Sequence, residues 1–411
     1  MELLVETGAK KLENYKNIID EELYQEILFL AKNLKGARVL HLNSTAYGGG
    51  VAELLFTLVP LMKDVGLKTE WRVIEAEPVF FQVTKNFHNA LQGMKLDLTE
   101  DMKDIFLQYN RLNAEKWKNL SLDYDFVLVH DPQPAAIASM ISKKGKWIWR
   151  CHIDLTYSDP FFWNFLKDYL PFYDAAIFTA KEYVKEDLPI RKIYLIPPSI
   201  DPLSDKNRQL ERGEILKVLE NYGLNSERPI ITQVSRFDLW KDYLGVIDLY
   251  REVKKEIPKV QLLMIGSMAN DDPEGLKYYD LTLRHAGEDF DIFILTNFHG
   301  VGSLEVNAFQ RASMVILQKS IREGFGLTVS EGLWKEKPVI GGNVGGIPLQ
   351  IEDGFNGYLV DSIAEGVKKT LKLLKDEHLR REMGKNAKES VRKNFLMPRY
   401  LRDYLKLLRE V

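Results

Sequence analysis

Two patterns of apolar residues alternate along most of the chain. One is a short run rich in apolar, β-branched and aromatic residues; the other is a longer stretch with apolar positions three or four apart. Short runs fall at 37–43, 69–75, 125–130, 147–151, 175–179 and 193–197, then at 229–234, 260–266, 291–295, 313–318, 337–341 and 357–360. Helical-period stretches separate most of them, as at 51–66 and 242–257. The short runs read as buried strands and the stretches between them as amphipathic helices. Strands apolar on both faces and joined by helices imply parallel sheets covered on both sides. The expected fold is therefore α/β, with two doubly wound, Rossmann-like domains in series.

The segment Pro197-Pro198-Ser199-Ile200-Asp201-Pro202 can neither continue a helix nor sit in a central strand. It predicts a semi-rigid connector between an N-terminal domain over 1–202 and a second domain over 203–390, with ligand-driven closure about it. The stretch from 361 onward is helical in pattern and highly charged. Pro398 interrupts it, which predicts a last helix starting afresh near Arg399, within a segment 391–411 that packs back toward the N-terminal domain. At 411 residues the chain fits two domains of roughly 150–200 residues each.

Composition narrows the classes. Hydrophobic residues at 45% and charged residues at 28% describe a globular chain, not a disordered one. The formal net charge of −3 and the lack of a long basic run leave no nucleic-acid footprint. No apolar run is long enough for a membrane span, and the first residues lack a secretory apolar region. A cytoplasmic location is expected. Cys151 is the only cysteine, which rules out an intrachain disulfide and a cysteine-type structural zinc site. Abundant Lys and Glu with almost no Cys point to a thermophilic source. Oligomeric state is open, a homodimer being one of the assemblies the sequence allows.

Candidate chemistry lies where strands end. Tyr47-Gly48-Gly49-Gly50-Val51-Ala52-Glu53 follows the first strand and opens a helix. Its glycines suit either a flexible turn or a loop whose backbone meets an anion; a dinucleotide fingerprint is not met. Ser235-Arg236-Phe237-Asp238-Leu239-Trp240-Lys241-Asp242 follows the first strand of the second half. Arg236 and Lys241 are either solvated surface cations or a clamp converging on one diphosphate at a strand's carboxyl end. In Arg322-Glu323-Gly324-Phe325-Gly326-Leu327-Thr328-Val329-Ser330-Glu331-Gly332, two glycines permit a tight loop at a helix start. Glu323 and Glu331 bracket that phosphate-ready turn. His130-Asp131-Pro132-Gln133-Pro134 and Arg150-Cys151-His152-Ile153-Asp154 end two neighbouring strands; a sugar-acceptor site and a purely structural role both fit. Asp123-Tyr124-Asp125 and Asp289-Phe290-Asp291 match a short divalent-metal pattern but precede strands, so they read as solvated turns. HExxH, P-loop and GxSxG motifs do not occur.

The Arg–Lys pair followed by Glu-x7-Glu in an EGFGL context resembles the retaining GT-B glycosyltransferases. GGGVAE (48–53), HDPQP (130–134), WRCHIDL (149–155), IPPSIDPLS (196–204), ITQVSRFDLWK (231–241), DDPEG (271–275), EVNAFQRAS (305–313) and SIREGFGLTVSE (320–331) together resemble the trehalose glycosyltransferring synthases of glycosyltransferase family 4. That resemblance implies two Rossmann-like domains facing a cleft. It implies formation of α,α-trehalose from NDP-glucose and glucose, with catalytic roles for Glu323, Arg236, Lys241 and His152. It further implies that Gly49, Gly50, Arg236, Lys241, Gly324, Phe325, Gly326, Leu327 and Thr328 surround the donor, that Glu331 holds the ribose, and that Val306 borders the base. Gln133, His152 and Asp154 would meet the acceptor. NDP-glucose is a co-substrate, no cofactor is obligatory, and Mg²⁺ is at most stimulatory. Whether Glu323 is a nucleophile or a positioning group is open. A trehalose phosphorylase and a sugar-nucleotide epimerase of the same fold are rival readings; a non-catalytic sugar-nucleotide sensor would be expected to lose Glu323 or Lys241. Gly332 departs from the alanine usual after the second glutamate.

Overall fold

The computed structural model describes residues 4–47, 49–118, 123–267 and 273–411. Gly48 and the Asp271–Asp272 pair of the DDPEG stretch lie outside them. Each short apolar run contains a strand. The first six are β1 (Arg38–Asn43), β2 (Lys68–Val73), β3 (Phe126–His130), β4 (Lys146–Arg150), β5 (Ala175–Phe178) and β6 (Ile193–Leu195). They form one parallel sheet in the order β2-β1-β3-β4-β5-β6. The next six are β7 (Ile230–Val234), β8 (Gln261–Gly266), β9 (Ile292–Thr296), β10 (Val315–Gln318), β11 (Val339–Gly342) and β12 (Gly357–Val360). They form a second parallel sheet in the order β12-β11-β10-β7-β8-β9.

Two compact units result, one of residues 1–199 with 397–411, the other of residues 200–396. The connector expected over 197–202 contains the change of unit, which falls at Ser199–Ile200 instead of after 202, and the tail expected from 391 changes at Leu396–Met397. The reason lies in local hydrogen bonding. Ile200 donates its N–H to Phe395 O at 2.8 Å within the second unit. Arg399 donates to the carbonyls of Pro197 and Pro198 at 2.8 and 3.1 Å within the first. Residues 391–394 belong to the helix Glu377–Asn394. The last helix is Met397–Glu410, a fresh start two residues before the Arg399 expected, with Pro398 in its first turn, where a missing N–H costs nothing. Its apolar stripe, Leu401, Tyr404, Leu405 and Leu408, is buried against the helices Glu21–Lys32 and Gly50–Asp64.

The sheets are apolar on both faces because both faces are covered. In the first unit Leu40, Val127, Val129, Trp147 and Trp149 join Phe80, Phe87, Phe106 and Phe162 from the flanking helices. Burial of each such side chain contributes about 1.5–3 kcal/mol. In the second unit one core gathers Tyr250, Val253, Leu262 and Leu317, and a smaller one gathers Leu219, Ile230, Leu263 and Phe309. Among the described residues no helix is long and apolar enough to cross a membrane.

Candidate active site

Strand order locates the chemistry. In the second sheet the chain runs outward from β7 to β9 and then returns to the other side of β7 with β10. The crevice beyond the carboxyl ends of β7 and β10 is thus a topological switch point, the place where open α/β sheets bind ligands. The loops leaving these two strands are Ser235–Asp242 and Lys319–Gly326. Both had been marked by sequence, and the register of β7 against β10 brings them side by side.

Their contact is an ion pair. Lys241 Nζ lies 2.6 Å from Glu323 Oε2, with the two side chains 12% and 11% exposed. Glu323 Oε2 also accepts from Ser320 Oγ at 3.1 Å and from Gln318 Nε2 at 3.3 Å. Gln318 in turn accepts from Thr328 Oγ1 at 2.9 Å. Gln233 ties the loops together, donating to Lys241 O at 2.8 Å and accepting from Lys319 N–H at 3.1 Å. Arg236 is 44% exposed, and its guanidinium sits 3.4 Å from the buried Asp238 carboxylate. Lys241 is no freely solvated loop residue, so its removal bears on folding as well as on binding.

Gly326 starts the helix Leu327–Trp334 from the left-handed region, at φ 81°. Only glycine does this without strain. Val329 donates its N–H to Gly326 O at 2.9 Å; the N–H groups before it at the helix start have no carbonyl one turn back within the helix, which suits an anion. Phe325 is buried and packs on Phe395 at 5.6 Å between centroids. Gly324 is crossed by a second loop: a Cβ on Gly346 would lie 2.6 Å from Gly324 O and 2.7 Å from Phe325 Cα. Gly346 also donates its N–H to Glu323 O at 3.2 Å. Gly346→Ala is therefore expected to cost about 1–3 kcal/mol by overpacking and to lower turnover at least ~10-fold by shifting Glu323. Thermal unfolding and initial rates check this; wild-type values for both would refute the close approach as a requirement.

Glu331 is fully buried in the second turn of that helix. Its Oε1 lies 3.3 Å from Lys206 Nζ and its Oε2 accepts from Gln310 Nε2 at 3.3 Å. Val306 lies on the helix Ser303–Ala312 and packs in the smaller core. Any contact it makes to a base would run through its backbone or its neighbours. Gly332 faces β10 and β11, where an added Cβ would lie 2.7 Å from Ile316 Cδ1; tight helix-on-sheet packing accounts for the missing alanine.

In the first unit the switch point falls between β1 and β3. Gly49 precedes and Gly50 begins the helix Gly50–Asp64 that follows β1. A Cβ on Gly49 would meet nothing within 4 Å. His152 follows β4; its Nε2 faces His130 Nδ1 at 3.0 Å, and its backbone N–H donates to Asp131 Oδ1 at 2.8 Å. Asp131 adopts φ 64°. Gln133 is half-buried, and its Oε1 has no hydrogen-bond partner among the described residues. Asp154 Oδ1 accepts from Thr156 N–H at 2.9 Å. Arg150, the one cation in these motifs suited to an acceptor phosphate, is fully buried and donates to Ile196 O at 2.8 Å.

The Asp-x-Asp pairs are not both solvated turns. Asp125 caps the start of β3, accepting from Arg38 N–H at 2.8 Å. Asp289 and Asp291 are about a fifth exposed and share Lys254 at 2.6 and 2.9 Å, with Arg228 2.6 Å from Asp291. Cations already occupy that pair. Sequence reading missed Gln233, Gln318, Lys206, Gln310 and His41. Gln and Lys carry no motif by themselves, and His41 hides inside an apolar strand.

Family models for the trehalose synthase N-terminal domain and for glycosyl transferases group 1 match residues 41–185 and 215–390. The chain is 55% identical over 402 residues to the trehalose synthase of Thermococcus litoralis, covering 97% of each chain. It is 29% identical over 450 residues to the trehalose phosphorylase of Pleurotus pulmonarius, covering 95% of this chain and 60% of that one. The sucrose-phosphate synthase of Thermosynechococcus elongatus superposes with a TM-score of 0.72 at 16% identity, over 91% of this chain and 98% of that one. The fold is GT-B, and the chain belongs to the trehalose synthase family of glycosyltransferases.

Proposed function

We propose that the protein transfers glucose from NDP-glucose to the anomeric hydroxyl of free glucose, with retention, releasing NDP and α,α-trehalose. The observation that carries this reading is the Lys241–Glu323 pair beside the helix start at Gly326–Thr328, at a switch point of a Rossmann-like unit. The second unit supplies the donor groups. Lys241 and Arg236 release their carboxylate partners and neutralise the diphosphate as it leaves, together with the helix amino end. Glu331 takes the ribose hydroxyls, with Lys206 sharing its second oxygen. Glu323 positions the donor glucose. The first unit supplies the acceptor groups, Gln133, His152 and Asp154, with Gly49 and Gly50 leaving room for donor phosphates.

Two features support free glucose over a phosphorylated acceptor. Arg150 is turned into the core, and the motifs at β3 and β4 present an amide, acids and imidazoles suited to a polyol. A buried carboxylate at Glu331 suits a ribose and argues against a phosphorylase, which needs no nucleotide site. Parallel assays with NDP-glucose and either glucose or glucose 6-phosphate test the acceptor: released NDP and disaccharide with glucose alone support it, and turnover with glucose 6-phosphate alone overturns it.

Charge neutralisation by Arg236, Lys241 and a helix start leaves no obligatory task for a divalent ion. Turnover is expected to persist in EDTA, within about threefold of its value in Mg²⁺ when donor is saturating. Complete loss in chelator, restored by Mg²⁺, would contradict a cation-only leaving-group site.

A further inference from the structure

Three histidines from three strand ends form a continuous hydrogen-bonded row. His41 Nδ1 lies 3.0 Å from His130 Nε2, and His130 Nδ1 lies 3.0 Å from His152 Nε2. The rings stack in turn, with centroids 5.3 Å apart at both steps. His41 and His130 are fully buried. His152 is half-buried, and its Nδ1 makes no hydrogen bond among the described residues. At the other end His41 Nε2 is buried with no partner. The tilted Tyr404 ring covers His41 at 6.1 Å, and that phenol is engaged with Tyr400 at 3.2 Å. The buried Arg150 charge disfavours protonation of His130 and His152, and the Asp131 carboxylate takes the His152 backbone N–H.

A neutral imidazole has one N–H donor and one acceptor nitrogen. A row of three can therefore run in only two directions. In one, His152 donates to His130, His130 donates to His41, and His41 is left with a buried N–H that meets nothing. In the other, His41 donates to His130, His130 donates to His152, and the orphan is an acceptor lone pair. Buried orphan N–H groups are rarer than under-satisfied acceptors, so the second direction wins. A charged ring is disfavoured by burial and by the Arg150 cation alongside.

We infer that His41 and His130 are positioning residues which, through this row, fix His152 as a neutral Nδ1–H donor. This rests on the proposed acceptor and donor sites: there His152 gives a hydrogen bond to a sugar hydroxyl and is not the base that removes the acceptor's proton. The arrangement makes His152 specific for an oxygen that can accept. It also leaves proton removal to the departing diphosphate, whose oxygens are free to take it.

The ligand-free protein, labelled with ¹⁵N-histidine, reports each tautomer through two-bond ¹H–¹⁵N correlations at pH 7. All three rings are expected neutral, each protonated at Nδ1. An Nε2–H tautomer at His152, or an imidazolium anywhere in the row, overturns the inference. This readout does not depend on which sugar is made, so its failure is separable from failure of the proposed reaction. Two variants test the relay. Phe in His130→Phe keeps a stacked ring but breaks both hydrogen bonds; Gln in His130→Gln can accept from His41 and donate to His152. His130→Phe is expected to lower kcat on the order of tenfold, with KM for NDP-glucose little changed, and His130→Gln to recover most of that loss. Equal activity of two variants of equal Tm would show that only packing matters, and would overturn the relay.

Discussion

Lys241→Met is expected to lower kcat by about 10³-fold, the scale seen when a preorganised charge is taken from a transition state. The ammonium lies 2.6 Å from Glu323 in a pair that is nearly buried, so its loss has a second effect. Glu323 keeps Ser320 and Gln318 as hydrogen-bond partners but loses its counter-charge. Removing one partner of a buried pair typically costs about 3–5 kcal/mol. Residual exposure and the two remaining donors reduce this to roughly 1–3 kcal/mol here. The double variant Lys241→Met with Glu323→Gln removes the stranded charge. It is expected to regain most of the lost Tm while staying inactive. Steady-state kinetics and calorimetry on the wild type and the two variants separate the two roles. Activity within tenfold of wild type for Lys241→Met would sink the leaving-group assignment; a double variant no more stable than Lys241→Met would sink the stranded charge.

Acidification is expected to destabilise the first unit steeply. Burial depresses the His41 pKa to about 3 from an ordinary 6.5. His130 and His152 are also held well below 6.5, first by burial and then by neighbouring imidazoles and Arg150. In the unfolded chain all three bind protons near pH 6.5. The stability they contribute is therefore fully present above pH 6.5 and is lost as pH falls toward their folded values. Each contributes a slope of about 1.4 kcal/mol per pH unit, so three give about 4. Asp131 works in the opposite sense. Burial raises its carboxyl to about 6, so its contribution is present below its ordinary 3.8 and is lost as pH rises through 6. Denaturation midpoints followed from pH 7 to pH 5 measure the net proton uptake. His130→Gln should shed about one proton of it; an unchanged slope would show that the row titrates in the native state.

The architecture was largely legible because strands buried on both faces leave a signal that needs no partner to read. β10, with Val315-Ile316-Leu317, is apolar whichever helix covers it. The motif loops were legible for a related reason: glycines such as Gly326 are forced by backbone geometry, and the geometry is local. What escaped depends on pairings across the sheet. Lys241 meets Glu323, the carboxylate that Gln318 also holds, only because β10 lies beside β7, although β8 and β9 come between them in sequence. His41 looks like one polar residue inside a strand until β3 and β4 bring His130 and His152 alongside it. Lys206 reaches Glu331 from more than a hundred residues away. The boundaries drawn at 202 and 391 moved to 199 and 396 because Ile200 pairs with Phe395, a contact no local pattern announces. Pro398 marked the fresh start of the last helix because proline fits the first turn of a helix and not its middle.

Trehalose formation from free glucose is tested most directly by the linkage in the product. The protein is incubated with an α-configured NDP-glucose and ¹³C-labelled glucose, and the disaccharide is examined by NMR. The expected result is a non-reducing disaccharide with both anomeric carbons in the α configuration and joined through one oxygen, the label confined to one ring. A reducing disaccharide, a β-configured donor carbon or a phosphorylated product would contradict it.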